Sequence, residues 1–138
     1  MTALSCGTII RDSQGKILIG HMTNQKYWDF PKGKMEDGET ELAAAIRETK
    51  EESNIDLVPS AMKLLSSNEP YRRGKRLTLF TYNVGSFDDY DIFCASKVEG
   101  TDFTEFDKFL MVDSSELEKY LSPAMYNYLV KNAIIDIL

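Results

Sequence analysis

The sequence predicts an α/β (α+β) sandwich built on a mixed β-sheet, and three observations carry that expectation. Short runs rich in β-branched and apolar residues, "LSCGTIIR", "KILIGHM" and "KRLTLFTYNV", are bounded by turn residues and read as strands. A helical stretch, "ELAAAIRETKEES", interrupts them, and the chain closes on a second, "SPAMYNYLVKNAIIDIL". Strands outnumber helices, and two helices far apart in sequence serve to cover different faces of one sheet.

Taken in order, "LSCGTIIR" is a strand, "DSQG" (12–15) a turn and "KILIGHM" its hairpin partner. "QKYWDFPKGKMEDGE" reads as a loop punctuated by Pro31, Gly33 and Gly38. Thr40 is the expected N-cap of a helix running to about Ser53, and Asn54 suits the left-handed position beyond it. Leu42, Ala45, Ile46 and Thr49 form its inward stripe, and Ala44 and Ala45 leave room for a ligand near the helix surface. "AMKLLSS" and residues 75–84 are strands, with a third expected around Tyr90 to Ala95. "DSSELEKYL" is a short helix capped by Asp113 or Ser114. The final helix takes Ser122 as N-cap and Pro123 at its first position, with Met125, Leu129, Ala133 and Ile134 facing a core.

A chain of 138 residues fits a single domain over 1–138 with a sizeable core, and 43% apolar with 28% charged residues is ordinary for a globular protein. No run approaches the ~18 apolar residues of a membrane span. The N-terminus lacks a basic stretch followed by an apolar one, so no secretory signal is expected. Cys6 and Cys94 are isolated, without metal spacing, and read as thiols of a cytoplasmic protein. The net charge of −6 excludes broad non-specific nucleic-acid binding but leaves room for one nucleotide or an RNA 5′ end at a local basic site.

The chemistry concentrates between residues 32 and 54. Glu48, Glu51 and Glu52 fall at i, i+3 and i+4, where like charges repel by a few tenths of a kcal/mol per pair. An exposed acidic face with Arg47 and Lys50 as local partners is one account of such a run. The preceding "FPKGK" supplies the other: Lys32, Lys34 and a glycine backbone open to a ligand lead directly into the acidic helix. Hard divalent cations bridge carboxylates to phosphates, and Lys with backbone amides holds the remaining phosphate oxygens.

At these residues the sequence resembles the Nudix hydrolase family. The family pattern of Gly, five residues, Glu, seven residues, Arg-Glu-apolar-any-Glu-Glu-any-Gly-apolar is met by Gly33, "KMEDG", Glu39, "TELAAAI", Arg47, Glu48, Thr49, Lys50, Glu51, Glu52, Ser53, Asn54 and Ile55. Thr49 replaces the apolar residue and Asn54 the last glycine, and both keep the local geometry. The resemblance implies a Nudix-type α/β/α sandwich that hydrolyses a pyrophosphate bond in a nucleoside diphosphate linked to another moiety. It also implies Mg²⁺ or Mn²⁺ on Glu48, Glu51, Glu52 and the Gly33 carbonyl, with Arg47 and Glu39 bracing the helix. The proton acceptor varies among relatives, which leaves Glu48, Glu52 and Glu105 open here.

The substrate is less sharply written. The "WDFPKGK" loop resembles both the diadenosine tetraphosphate hydrolase and the RNA 5′-pyrophosphohydrolase branches. Pro70 and Tyr71 match family patterns for ADP-ribose and for dinucleoside polyphosphates respectively. Arg72, Arg73, Lys75 and Arg76 form a dense basic cluster able to hold a polyphosphate. Tyr71, Phe80 and Tyr82 are candidates for stacking a base. The expected activity is hydrolysis of a dinucleoside polyphosphate, with RNA 5′ ends and ADP-ribose as alternatives. A nucleotide-sensing module without turnover has no physical reason to keep three mutually repelling carboxylates. Oligomeric state is left open between monomer and homodimer.

Overall fold

A computed structural model describes residues 3–138. Seven strands form one mixed sheet. β1 (Ala3–Arg11) lies at its centre, antiparallel to β2 (Ile17–Met22) on one side and parallel to β6 (Lys75–Asn83) on the other. The order across the main path is β3 (Trp28–Asp29), β2, β1, β6, β5 (Lys63–Arg72). β4 (Lys32–Lys34) pairs with the first half of β1, and β7 (Phe106–Val112) pairs with β2. The parallel β1–β6 pairing needs a crossover, which the long α1 (Glu41–Ser53) supplies.

Side chains alternate across this sheet, so each central strand feeds two cores. Ile9, Ile17, Ile19, Leu77 and Leu79 face α3 (Pro123–Lys131), whose Met125, Tyr128 and Leu129 are buried against them. Ile10, Leu18 and Tyr82 face the other side with Ile55 and Leu57, and Cys6 and Phe80 meet Ala44 and Ala45 of α1 there. The two helices therefore sandwich the sheet, as expected, with α2 (Leu117–Tyr120) beside α3. No helix among the described residues is long and apolar enough to cross a membrane.

Helix α1 starts and stops where its caps dictate. The Thr40 hydroxyl accepts from the Ala43 amide at 3.1 Å, and Asn54 sits at φ 65° as the left-handed C-cap. Thr49 is fully buried, its hydroxyl donating to Thr8 at 3.1 Å, while Leu42 and Ile46 are only half-buried.

Three sequence expectations are corrected. Residues 25–39 are not one loop, because β3 and β4 lie inside them. No strand spans Tyr90 to Ala95; that segment is extended coil tied to the end of α1 by Phe93 N–H to Ser53 O and Ala95 N–H to Glu51 O. The missing strand is β7, which begins further on, at Phe106. The last helix stops at Lys131: Ala133 takes φ 57° and is exposed, the Ile134 amide donates back to Leu129 O, and a 3₁₀ turn (Ile135–Ile137) follows. That is a Schellman-type end with alanine where glycine is usual.

Candidate active site

The site forms where β4 crosses the first half of β1 and meets the C-terminal half of α1. Two glycines make the crossing possible. A Cβ on Gly7 would collide with Pro31 O and the Lys32 side chain, so only glycine lets β4 lie this close to β1. A Cβ on Gly33 would reach within 2.5 Å of Glu48 Oε1 and closer still to the rest of that carboxyl. The Glu48 carboxylate therefore rests directly on the β4 backbone, in space a side chain would fill.

Arg47 gathers the acidic residues. Its Nε donates to Glu39 Oε2 at 2.8 Å, Nη1 to Glu48 Oε1 at 2.8 Å and to Glu51 Oε2 at 3.3 Å, and Nη2 to the Lys34 carbonyl at 3.1 Å. It thus brackets α1 to β4 and to the turn carrying Glu39, whose carboxylate also accepts from the Glu36 amide. The Arg47 hydrogen bonds hold the Glu39 pKa down at about 2. Burial raises the Glu48 pKa, opposed by the same guanidinium.

Glu52 is the carboxylate that α1 buries most, at 3% exposure. Its Oε1 accepts from the Lys32 amide at 2.9 Å, and it lies within hydrogen-bonding reach of Glu105. Burial and Glu105 raise its pKa well above the ordinary carboxylate range, against the pull of the Lys32 amide. Glu105 is held in turn by its own backbone, the amide donating to Ser96 O at 2.8 Å and the carbonyl accepting from Thr23 N–H at 3.0 Å. Both acids line a cleft of about 260 Å³, together with Asp29, Lys32, Thr23 and Gln25.

The oxygens gathered here are of the kind a hard divalent cation takes. Three carboxylates on consecutive turns plus a backbone carbonyl are the oxygen set such an ion takes, and the side-chain-free space over Gly33 brings one of them onto β4. Among the described residues no three of His, Cys, Asp or Glu converge closely enough for one ion, and the Arg47 guanidinium stands between Glu48 and Glu51. Glu51 is the most exposed of the three, with 43% of its side chain accessible. The donor chemistry fits.

The structure sorts the remaining sequence candidates. Glu39, Glu48 and Glu51 gather on Arg47, with Glu48 seated over Gly33; Glu52 and Glu105 share the cleft, and Asn54 caps the helix that carries Arg47, Glu48, Glu51 and Glu52. Lys34 is exposed beside Glu48 on a shallow cavity. Lys32 lines the cleft, but its ammonium is paired with Asp29 at 3.1 Å and lies over the Tyr71 ring at 5.6 Å. Burial works against its charge, yet Asp29 and Tyr71 outweigh it and raise the Lys32 pKa.

The base-stacking candidates are corrected. Phe80 is core under Ala44 and Ala45, and Tyr82 is core with its hydroxyl accepting from the Val58 amide, so neither ring face is open. Tyr71 packs edge-on against Tyr128 and carries Lys32 and Arg72 beside its ring. The basic cluster divides: Arg76 is spent on the Asn68 carbonyl and side chain and Arg72 on Ser122, whereas Arg73 is exposed at the hairpin tip. Asp29, which the sequence reading passed over, is the missed residue. Its spacing of three from Lys32, across Pro31, was the available signal.

An Arg-braced acidic helix set against a glycine strand, in a sheet joined by a helical crossover, is the frame of this site. The comparisons with known proteins name the family: residues 1–129 match the NUDIX domain, and the chain belongs to that family. The RNA pyrophosphohydrolase of Psychrobacter sp. is 34% identical over 67 residues, 49% of this chain and 38% of that protein. The matched part spans only about two-fifths of that relative's length. In fold, the chain is similar to MutT studied from Aliivibrio salmonicida and Vibrio cholerae, with a TM-score of 0.72 at 22% identity over 99% of each chain. It is also similar to an Ap4A hydrolase of C. elegans, with a TM-score of 0.66 at 22% identity over 95% of this chain and 94% of that one.

Proposed function

We propose that the chain, acting as one domain, is a divalent-metal-dependent pyrophosphohydrolase whose substrate is a nucleoside diphosphate linked to a second group. The observation that carries this is the buried Glu52 facing Glu105 at a cleft, one helical turn from the Glu48 carboxylate seated on Gly33. Glu48, Glu51, Glu52 and the Gly33 carbonyl would hold Mg²⁺ or Mn²⁺, which when bound neutralises phosphate oxygens and acidifies the attacking water. The chain's own part is positional. Arg47 fixes Glu48 relative to β4, and Gly33 keeps the approach open.

In the reaction a water oxygen bonds to phosphorus, and the bond from phosphorus to the bridging oxygen breaks. The departing phosphate leaves with that oxygen, and the water proton goes to a carboxylate. Glu105 shares the cleft with Glu52 without being one of the residues assigned to the metal, and it is the carboxylate assigned to accept it.

For substrate we propose a dinucleoside polyphosphate such as diadenosine tetraphosphate, on the Tyr71-bearing strand and the "WDFPKGK" loop. RNA 5′ ends are the second reading, supported by the similarity to an RNA pyrophosphohydrolase and by Arg73 lying exposed at the hairpin tip. ADP-ribose is the third. The reducing, cytoplasmic setting expected for the protein is supported by two free cysteines. The test is incubation with Mg²⁺ and a panel of diadenosine tetraphosphate, ADP-ribose, nucleoside triphosphates and triphosphorylated RNA, with products identified by mass. Cleavage of none of them, with folded protein, overturns the proposal.

A further inference from the structure

Asp29 is buried on the wall of the cleft that Glu52 and Glu105 share, and both of its oxygens are engaged. Oδ1 accepts from the Phe30 amide at 2.8 Å, and Oδ2 faces the Lys32 ammonium at 3.1 Å. A carboxylate tied at both oxygens keeps one orientation, and what it fixes in turn is Lys32. The chain between them is short and stiff. Asp29 ends β3 and Lys32 begins β4, while Pro31, with its ring-fixed φ, anchors the link to β1 by accepting from the Thr8 amide at 3.1 Å.

Lys32 is held at both ends. Its amide donates to Glu52 Oε1 at 2.9 Å, and its ammonium meets Asp29 beside the Tyr71 ring. Asp29 is the ammonium's only ion-pair partner among the described residues, so a group with three N–H donors keeps donors to spare. The Lys32 side chain is 20% exposed and that of Asp29 8%. The cation is therefore the reachable member of the pair, and the carboxylate stands behind it. A lysine ammonium is otherwise a point charge on a flexible four-carbon stem.

We propose that Asp29 is a positioning residue of the hydrolysis, fixing the Lys32 ammonium at the cleft so that its spare N–H groups meet the phosphate oxygen on which charge grows. The inference rests on the function proposed above. As the bond from phosphorus to the bridging oxygen breaks, its electron pair stays on the departing oxygen. Lys32 stabilises that charge by hydrogen bonding, and no proton moves from it. A donor set in place beforehand needs no rearrangement while the charge develops, which is where such donors act most strongly. Asp29 touches no substrate and acts through Lys32 alone.

The test is steady-state kinetics of the full chain with Mg²⁺ and a dinucleoside polyphosphate, for Asp29→Asn, Lys32→Gln and the double variant. Asn keeps an oxygen for the Phe30 amide and removes only the charge. Asp29→Asn is expected to lower kcat about tenfold with KM unchanged or lower, because the released ammonium still attracts the anionic substrate. Lys32→Gln is expected to lower kcat about a hundredfold, and adding Asp29→Asn to it should cost nothing further. A second measurement reads the hold without turnover: in ¹⁵N–¹H spectra of the lysine ammonium groups, the Lys32 signal of the parent should broaden away in Asp29→Asn. A raised KM for Asp29→Asn, an equal loss in the Lys32→Gln background, or an ammonium signal unchanged by Asp29→Asn overturns the inference and leaves Asp29 a cap of the Phe30 amide, with the proposed function standing. A parent that cleaves no nucleotide overturns both.

Discussion

Replacing Glu52 by Gln separates folding from function more cleanly than any other change in this site. The parent buries a carboxylate at 3% exposure that receives one hydrogen bond, from the Lys32 amide, and faces a second acid, Glu105. The nearest cation, the Lys32 ammonium, is already paired with Asp29. Gln keeps the carbonyl-type acceptor for the amide, removes the charge and donates towards Glu105. A buried charge with incomplete partners costs about 1–3 kcal/mol, so the metal-free variant should be more stable by about that much. For a chain of this size that is roughly 3–10 °C in Tm. The folded-state pKa of Glu52 is raised above its unfolded value, so its contribution to stability is fully present below the ordinary carboxylate pKa. It is lost as pH rises through the folded pKa. The advantage of Glu52→Gln in melts with chelator present should therefore be large at neutral pH and shrink as the buffer is acidified. Turnover of the same variant should fall by about two orders of magnitude or more. A variant less stable than the parent at neutral pH, or a gap that ignores pH, would refute the reasoning.

Three further outcomes are expected. Gly33→Ala forces the Glu48 carboxyl off β4, and a displacement of about 1 Å lowers kcat about a hundredfold; unchanged steady-state kinetics would disprove the cradle. Glu39 is depressed to about 2, so its stabilising pairing with Arg47 is present above the unfolded carboxylate pKa and lost as pH falls towards 2. Glu39→Gln should accordingly flatten the acid limb of a stability profile followed by circular dichroism. Ala133→Gly should stabilise the chain by about 1 kcal/mol in denaturant melts, since alanine there holds φ 57°.

Much of this site is written locally. The helix could be placed by its caps, because Thr40 and Asn54 act on backbone groups within four residues of themselves. The Arg47 brace was legible for the same reason, through one helical turn and a motif. What escaped depends on the other side of the sheet. β4 is three residues long and exists because Gly7, twenty-five positions upstream of Lys32, has no side chain. β7 carries Phe109, Leu110 and Met111 in succession, with no alternation to mark a strand, and is fixed by pairing with β2. Phe80 and Tyr82 alternate as a one-sided strand should, and the sequence alone could not say that α1 and the segment around Ile55 cover that side. Arg76 counted as a free cation until Asn68, in a bulged stretch of β5, claimed it.

The central claim is that the acids behind Arg47 hold a divalent cation that carries the scissile diphosphate. The most direct measurement is isothermal titration of Mn²⁺ into the chelator-stripped protein with a non-hydrolysable dinucleoside polyphosphate present, repeated with Glu52→Gln. The account predicts saturable uptake by the parent and a loss of about tenfold or more in affinity for the variant. No uptake by the parent, or equal uptake by both, would contradict it.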